Sequence, residues 1–366
     1  MVNYSRILKI LCSLAIIAVC VLGLYFRYYA LESRLLWDDE INQLGHMKGS
    51  LVAMMDSISK IEYFSLLAGD FFLIYPFFKW FGFNKWGLAI PHILSTLIGF
   101  YLFYLAAKIY LKSSVGVLVS FVILAFNATL IWHSFEIRVY SVLPTLALAC
   151  FLGARYLVLY IHAMTWRSNA LLLVLFLVTI WFHVYGIMIV AVMFAWQWAE
   201  HPELFLKNLP RLFYFVLALG LLAAPVWVYS VFIQHADPAT EYNFKTQTHS
   251  ADVHRDVAAY IPALMNNPVG FFKAVLGNLM GCRPLYVLYF GFLAWFLIDA
   301  KQKTKQITML AIVVVVPIAL IYAMDLMKSY WFLQRQFIWV IPFFAIVVGW
   351  CWESALACVF NRGNRA

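Results

Sequence analysis

Long uncharged stretches, rather than any alternation of polar and apolar positions, organise this chain. Apolar runs fall at roughly 7–26, 86–107, 115–133, 139–160, 169–182, 187–199, 212–233, 284–300, 307–324 and 337–359. Most approach or exceed about 18 residues, the length at which an apolar stretch reads as a membrane-spanning helix. The predicted fold is all-α: a polytopic membrane protein of about ten transmembrane helices. The fifth and sixth runs are short and meet at His183-Val184-Tyr185-Gly186. Together they cover about 30 residues, too long for one comfortable span at 1.5 Å per residue, so two short helices are expected.

Composition agrees: 65% of residues are hydrophobic and only 12% charged, where soluble domains are nearer half apolar and a quarter charged. The excess of basic residues would suggest nucleic acid in a soluble protein, but its distribution points to a membrane instead. With ten spans and the N-terminus inside, one side receives Arg6, Lys9, Lys108, Lys112, Arg167, Lys207, Arg211, Lys301, Lys303, Lys305, Arg362 and Arg365. The short loops opposite hold Arg138, Lys328 and Arg335. This is the positive-inside asymmetry, and merging the fifth and sixth runs would put Lys301–Lys305 on the wrong side.

The first run follows Arg6 and Lys9 and lacks a small-residue cleavage site, so it is expected as an uncleaved helix. Tyr63–Phe81 carries Asp70, Pro76 and Lys79 and is expected to lie in the outer interface, with Trp80 and Trp86 at the lipid headgroups. Residues 1–366 then form a single membrane domain whose outer face owns two large loops, 27–85 and 234–283. The six cysteines form no Cys-x-x-Cys pair, which removes the usual disulfide and zinc patterns.

Four polar clusters fall on the outer turns. Asp38, Asp39 and Glu40 follow Trp37 just beyond the first span; adjacent carboxylates at a membrane surface suit proton abstraction, or simply form a solvated acidic turn or a helix N-terminus. His133, Glu136, Arg138 and Tyr140 bridge the third and fourth spans, where charges flanked by membrane helices are functional candidates or a structural ion pair. His183 and Tyr185 occupy the next outer turn, and Arg335 precedes the last span. Carboxylates, His or Tyr donors and arginines facing a bilayer suit chemistry on a phosphate-bearing lipid, since guanidinium matches phosphate oxygens in bidentate geometry. His249, Asp252, His254 and Asp256 could hold a divalent metal, but no ligand spacing supports it, and a loop shaping the acceptor site is the better reading. Asn127-Ala128-Thr129 matches a glycosylation sequon inside a span, where it would be inert.

Taken in order, these residues resemble the GT-C membrane glycosyltransferases, above all the family-39-type branch of protein O-mannosyltransferases and lipid A aminoarabinose transferases. Asp39-Glu40 is similar to the branch's Asp-Glu signature, Phe78–Gly82 to its interfacial helix, Glu136–Ser141 to its Glu-x-Arg-x-Tyr-Ser/Ala motif, and His183–Gly186 to its His-Tyr-x-Gly turn. Arg335 with Pro342 is similar to its closing Arg…Pro segment. The likeness covers most of residues 1–200 and thins beyond them. The prolines usual before the interfacial helix are absent, which leaves Glu62 and Asp70 as candidates for a second acidic site residue.

The resemblance implies transfer of a sugar, with inversion, from a polyprenyl-phosphate donor to a glycan, lipid or protein acceptor on the outer face; a short chain with no visible eukaryotic retention signal favours the periplasmic face of a bacterial inner membrane over the endoplasmic reticulum. Asp39 would be the base with Glu40 beside it. Arg138 and Arg335 would hold the departing phosphate, Glu136 would orient Arg138, and His183, Tyr185, Tyr140 and Asp38 would line the donor. No cofactor or metal is expected. A transporter or flippase is the competing reading; it should place charges near the bilayer midplane and show repeat symmetry, and neither is visible. An O-antigen polymerase or ligase would rely on Arg and His without an acidic pair in the first outer loop.

Overall fold

The computed structural model describes residues 4–36, 38–60, 69–183, 185–228, 268–281, 283–285, 287–288, 304–320 and 334–363. Every regular element among them is helical. In chain order these are α1 (Tyr4–Glu32), α2 (Asp38–His46), α3 (Leu51–Ser59), α4 (Gly69–Phe81), α5 (Lys85–Tyr110), α6 (Ser114–Phe126) and α7 (Ala128–His133). After a 3-10 turn at Val139–Ser141 come α8 (Leu143–Tyr160), α9 (Trp166–Phe182), α10 (Gly186–Glu200), α11 (Pro202–Val228) and α12 (Pro268–Met280). The described chain closes with α13 (Thr304–Leu320) and, after a 3-10 segment at Gln334–Val340, α14 (Ile341–Gly363).

Among the described residues, five helices are long and apolar enough to cross a membrane: α1, α5, α8, α11 and the Phe337–Ala357 stretch of the last element. Four shorter apolar helices, α6, α9, α10 and α13, pack among them. At 26 residues, α5 is about 39 Å long, more than the roughly 30 Å hydrocarbon core of a bilayer. The outer face of α1 exposes Leu11, Leu14, Ile17 and Val21. In water so large an apolar face would be a liability, whereas lipid satisfies it.

Nine of the ten apolar runs coincide with these helices, and the run at 284–300 lies almost wholly outside the described residues. Three boundaries differ from expectation. α1 continues past residue 26 to Glu32, so the first loop begins later than 27. α11 starts at Pro202, well before 212. The run 115–133 is two helices, because Asn127 breaks it: its Oδ1 accepts from Leu130 N–H at 3.1 Å and starts α7, while its Nδ2 donates to Leu279 O at 3.2 Å. This asparagine is fully buried and is a cap, a role the expectation of an inert sequon did not give it. The region 169–199 is two helices, α9 and α10, separated after His183, whose carbonyl accepts the Gly186 N–H at 2.8 Å.

The helix ends gather into two polar zones at opposite ends of the bundle. At one, Glu200 ends α10 with its side chain only 2% exposed, and its carboxylate accepts from Tyr110 Oη at 2.7 Å and Arg155 Nη1 at 2.9 Å, with Lys305 Nζ 2.8 Å away. Glu353 of α14 accepts the N–H groups of Lys112 and Ser113 and so caps α6. At the other end, Lys85 Nζ donates to the carbonyls of Leu31, Glu32 and Arg34, closing α1 with a cation as the helix dipole favours. Arg27 lies there too, buried inside α1. It donates to Ala125 O at 2.7 Å, Leu124 O at 3.2 Å, Gly23 O at 2.9 Å and Ser134 Oγ at 2.9 Å, satisfying the last carbonyls of α6. This second end carries a small cap with its own core, in which Leu44, Met47, Met54, Ile58, Phe71, Ile74 and Phe78 of α2–α4 pack on Leu88 and Ile137.

The α9–α10 turn leaves no room at Gly186, where an added Cβ would overlap the Thr179 carbonyl. Gly186→Ala is therefore expected to destabilise the fold by about 2–3 kcal/mol, read as a lower thermal unfolding midpoint of the detergent-solubilised protein. An unchanged midpoint would mean that the two helices do not turn this tightly.

Candidate functional site

The segment between α7 and α8 is read most directly from its own sequence. Phe135 and Ile137 are apolar and enter two different hydrophobic clusters, Phe135 beside Leu31 and Ala89, and Ile137 in the cap core. Glu136 and Arg138, between and after them, are left to polar partners. Insertion of Ile137 into the cap brings its N–H against α2, where Glu40 Oε1 accepts it at 2.7 Å.

Glu40 is fully buried and also engages Arg34 through two parallel bonds, Nη1–Oε2 at 2.6 Å and Nη2–Oε1 at 2.8 Å. Burial disfavours the Arg34 charge, but the bonds and charge of Glu40, with Glu136 farther off, hold the guanidinium above its ordinary pKa. One helical turn along α2, on the same face, buried Gln43 Oε1 accepts from Arg138 Nη1 at 3.1 Å. Asp70, in the first turn of α4, completes this group. Burial raises its pKa, and Arg138, Gln43 and the backbone N–H of Asp70 itself and of Val139 offset that only in part.

Glu136 is buried and bonded to His133 Nδ1. The His133 ring meets Tyr140 edge-on at 6.4 Å, Tyr140 lies 5.8 Å from His183, and His183 lies 4.8 Å from Tyr185. His183 Nδ1 also accepts Tyr185 N–H at 3.2 Å, which folds the α9–α10 turn onto the same row.

Of the expected site residues, Glu40, Asp70, Glu136, Arg138, Tyr140, His183 and Tyr185 thus converge on one end of the bundle. Asp38 and Asp39 lie in the first turn of α2, and their side chains are outside the described part. Glu62 is outside the described residues altogether, as are His249, Asp252, His254 and Asp256. Arg335 belongs to the 3-10 segment Gln334–Val340, which packs against α7 and the 139–141 turn; its side chain is not described. Among the described residues no three His, Cys, Asp or Glu side chains converge as a metal site would require.

Sequence reasoning did not single out four residues at this end. Arg34 and Gln43 look unremarkable in a polar stretch. Arg27 ends an apolar run, and a charge at such a position is a signal in itself. His92, fully buried in α5, bonds Ser141 Oγ directly behind Arg138; a lone His in a span is the same kind of signal.

Two outcomes follow. Glu40→Gln leaves the Arg34 charge uncompensated and weakens the bond to Ile137, so a stability loss of about 1.5–3 kcal/mol is expected in thermal unfolding; no loss would remove Glu40 as the tie between α2 and this segment. Because the folded-state pKa of Asp70 is raised, its contribution to stability is fully present below its ordinary value of 3.8 and is lost as pH climbs through the folded value. The Asp70→Asn protein should therefore gain unfolding midpoint on the wild type as pH rises from 3.8, and a gap that shrinks with pH contradicts the assignment. Comparison with protein-family models, with curated proteins and with solved structures finds no match for this chain.

Proposed function

We propose that this chain is an integral membrane glycosyltransferase that moves a sugar from a polyprenyl-phosphate carrier to a cell-envelope acceptor, with inversion at the anomeric carbon. The reading includes ten spans, the N-terminus inside and the site facing the periplasm of a bacterial inner membrane, as the distribution of Lys and Arg favours. The observation that carries it is the seating of Arg138: its guanidinium is held by Gln43 of the same short helix whose first turn bears Asp39.

In this reading α2 sets the distance between a base and a phosphate ligand. Asp39 takes the proton of the acceptor hydroxyl as its oxygen attacks C1 of the sugar. The C1–O bond to phosphate breaks, and its electron pair leaves with the lipid phosphate. The amino-terminal dipole of α2 favours the ionised carboxylate a base needs. Arg138, joined by Arg335, neutralises the charge that develops on the phosphate oxygens. Glu40 is then a holder rather than a second catalytic acid, because Arg34 and the Ile137 N–H already occupy its oxygens. The His133–Tyr140–His183–Tyr185 row supplies donors and flat apolar faces of the kind that grip a sugar ring. The transporter reading asks for charges near the bilayer midplane, whereas this group sits among helix ends.

The test is consumption of a panel of polyprenyl-phosphate sugars by the protein in membranes with lipid-extracted acceptors. Asp39→Asn is expected to lower transfer at least about a hundredfold while donor binding survives. Arg138→Ala is expected to lower transfer by a similar or larger factor and to weaken donor binding as well. A wild type that consumes no lipid-linked sugar refutes the proposal, and a fully active Asp39→Asn variant removes Asp39 as the base.

A further inference from the structure

The 3-10 turn that leads from Arg138 into α8 is latched from behind by an imidazole. His92 is fully buried in α5, an unfavourable place for a polar ring in a helix that crosses a membrane. Its Nδ1 meets Ser141 Oγ, and the same hydroxyl donates to the Arg138 carbonyl oxygen at 3.0 Å. The Ser141 N–H reaches that carbonyl too, at 3.3 Å. One hydroxyl therefore stands between a buried imidazole and the backbone of Arg138.

A hydroxyl has a single proton. With that proton on the Arg138 carbonyl, His92 donates to Ser141 Oγ from Nδ1–H. Nε2 is buried and has no hydrogen-bond partner among the described residues, so Nδ1 is the working atom. The ring is also prevented from sliding. His92, Ser95, Thr96 and Gly99 recur at helical spacing along the buried side of α5. Thr145 Oγ1 of α8 donates to Ser95 O at 2.8 Å, and a Cβ on Gly99 would come within 2.6 Å of the same hydroxyl. Close approach through small and hydroxyl-bearing residues is how membrane helices pack without a hydrophobic driving force. A packing role alone would be filled as well by Phe or Leu and would not use Nδ1.

We infer that His92 is a positioning residue for Arg138: acting through Ser141, it fixes the turn that aims the guanidinium at the donor phosphate. This rests on the reading of Arg138 as the phosphate ligand. It adds to that reading a group on a different helix that touches neither donor nor acceptor.

The experiment compares His92→Phe, His92→Asn and His92→Gln in the purified full-length protein. Three quantities are read: KM for the polyprenyl-phosphate sugar, KM for the acceptor, and the rate at which phenylglyoxal modifies Arg138, followed by peptide mass spectrometry with Arg167 as internal reference. Phe keeps the ring and removes both nitrogens; Asn places its amide near Nδ1, and Gln places it near Nε2. His92→Phe should raise the donor KM about tenfold with the acceptor KM little changed, and should speed Arg138 modification about fivefold. His92→Asn should recover most of both effects, and His92→Gln should not. The inference is overturned if folded His92→Phe leaves donor KM and Arg138 reactivity unchanged, or if Asn and Phe behave alike. Should His92→Phe fail to fold, Ser141→Ala opens the same latch from the other side, with the same expected readings and the same overturning result. A wild type that transfers no sugar defeats the functional reading alone, since Arg138 reactivity still decides whether the latch exists.

Discussion

The Glu40 carboxylate fastens together two segments 97 residues apart, and the arrangement of the candidate site depends on that bond. One of its oxygens takes the Ile137 N–H, and both take the Arg34 fork. A buried carboxylate is tolerable only when its charge and its lone pairs are met, and here the carboxylate on α2 meets partners from two other places: Arg34, just after α1, and Ile137, in the segment between α7 and α8. With Ile137 plugged into the cap core and its N–H bound, the next residue, Arg138, has little choice of position. Gln43 and Asp70 then receive it. The acidic first turn of α2 and the arginine are in this way parts of one assembly rather than neighbours by chance.

The rest of the bundle is organised by the requirement that polar groups inside lipid be satisfied. Arg27 closes the carbonyl end of α6, Lys85 that of α1, and Glu353 the amide end of α6. Each is a charge facing a helix terminus of opposite partial charge. The Glu200 node does similar work at the far end, joining α5, α8, α10 and α13 through Tyr110, Arg155 and Lys305. His201 joins it through Arg155 Nη1, 3.1 Å from its Nε2, and Trp196 Nε1 donates to Tyr110 Oη at 2.8 Å. The group around Arg138 differs in that it adjoins the cap formed by α2–α4 and continues into the ring row from His133 to Tyr185.

How much of this could be read beforehand follows from the physics of each element. Apolar length is a strong signal, so the runs that became α1, α5, α8 and α14 were visible, and charge sidedness was enough to divide 169–199 into two helices. Clusters such as Glu136–Arg138 and His183–Tyr185 stood out because polar residues are rare in so apolar a chain. Helix ends are less legible: a run that is apolar all round has no periodic stripe to mark where it stops, so α1 and α11 extend beyond their apolar runs. The break at Asn127 is not legible in the sequence, because an asparagine within an apolar run says nothing until the Leu130 amide and the Leu279 carbonyl are seen to need it. Gln43 and Arg34 are ordinary residues whose importance lies wholly in tertiary partners. Glu40 and Asp39 are adjacent in sequence, yet neighbours on a helix point about 100° apart, and the two side chains need not share a task.

The central claim is that the site breaks a sugar–phosphate bond rather than moving an intact lipid. The most direct measurement reconstitutes the purified chain in vesicles with a polyprenyl-phosphate sugar and an acceptor, and follows the lipid by mass spectrometry while recording which leaflet holds it. The account predicts sugar-free polyprenyl phosphate appearing in step with glycosylated acceptor. Intact donor that accumulates in the opposite leaflet, with no free polyprenyl phosphate, would contradict it and make the chain a carrier.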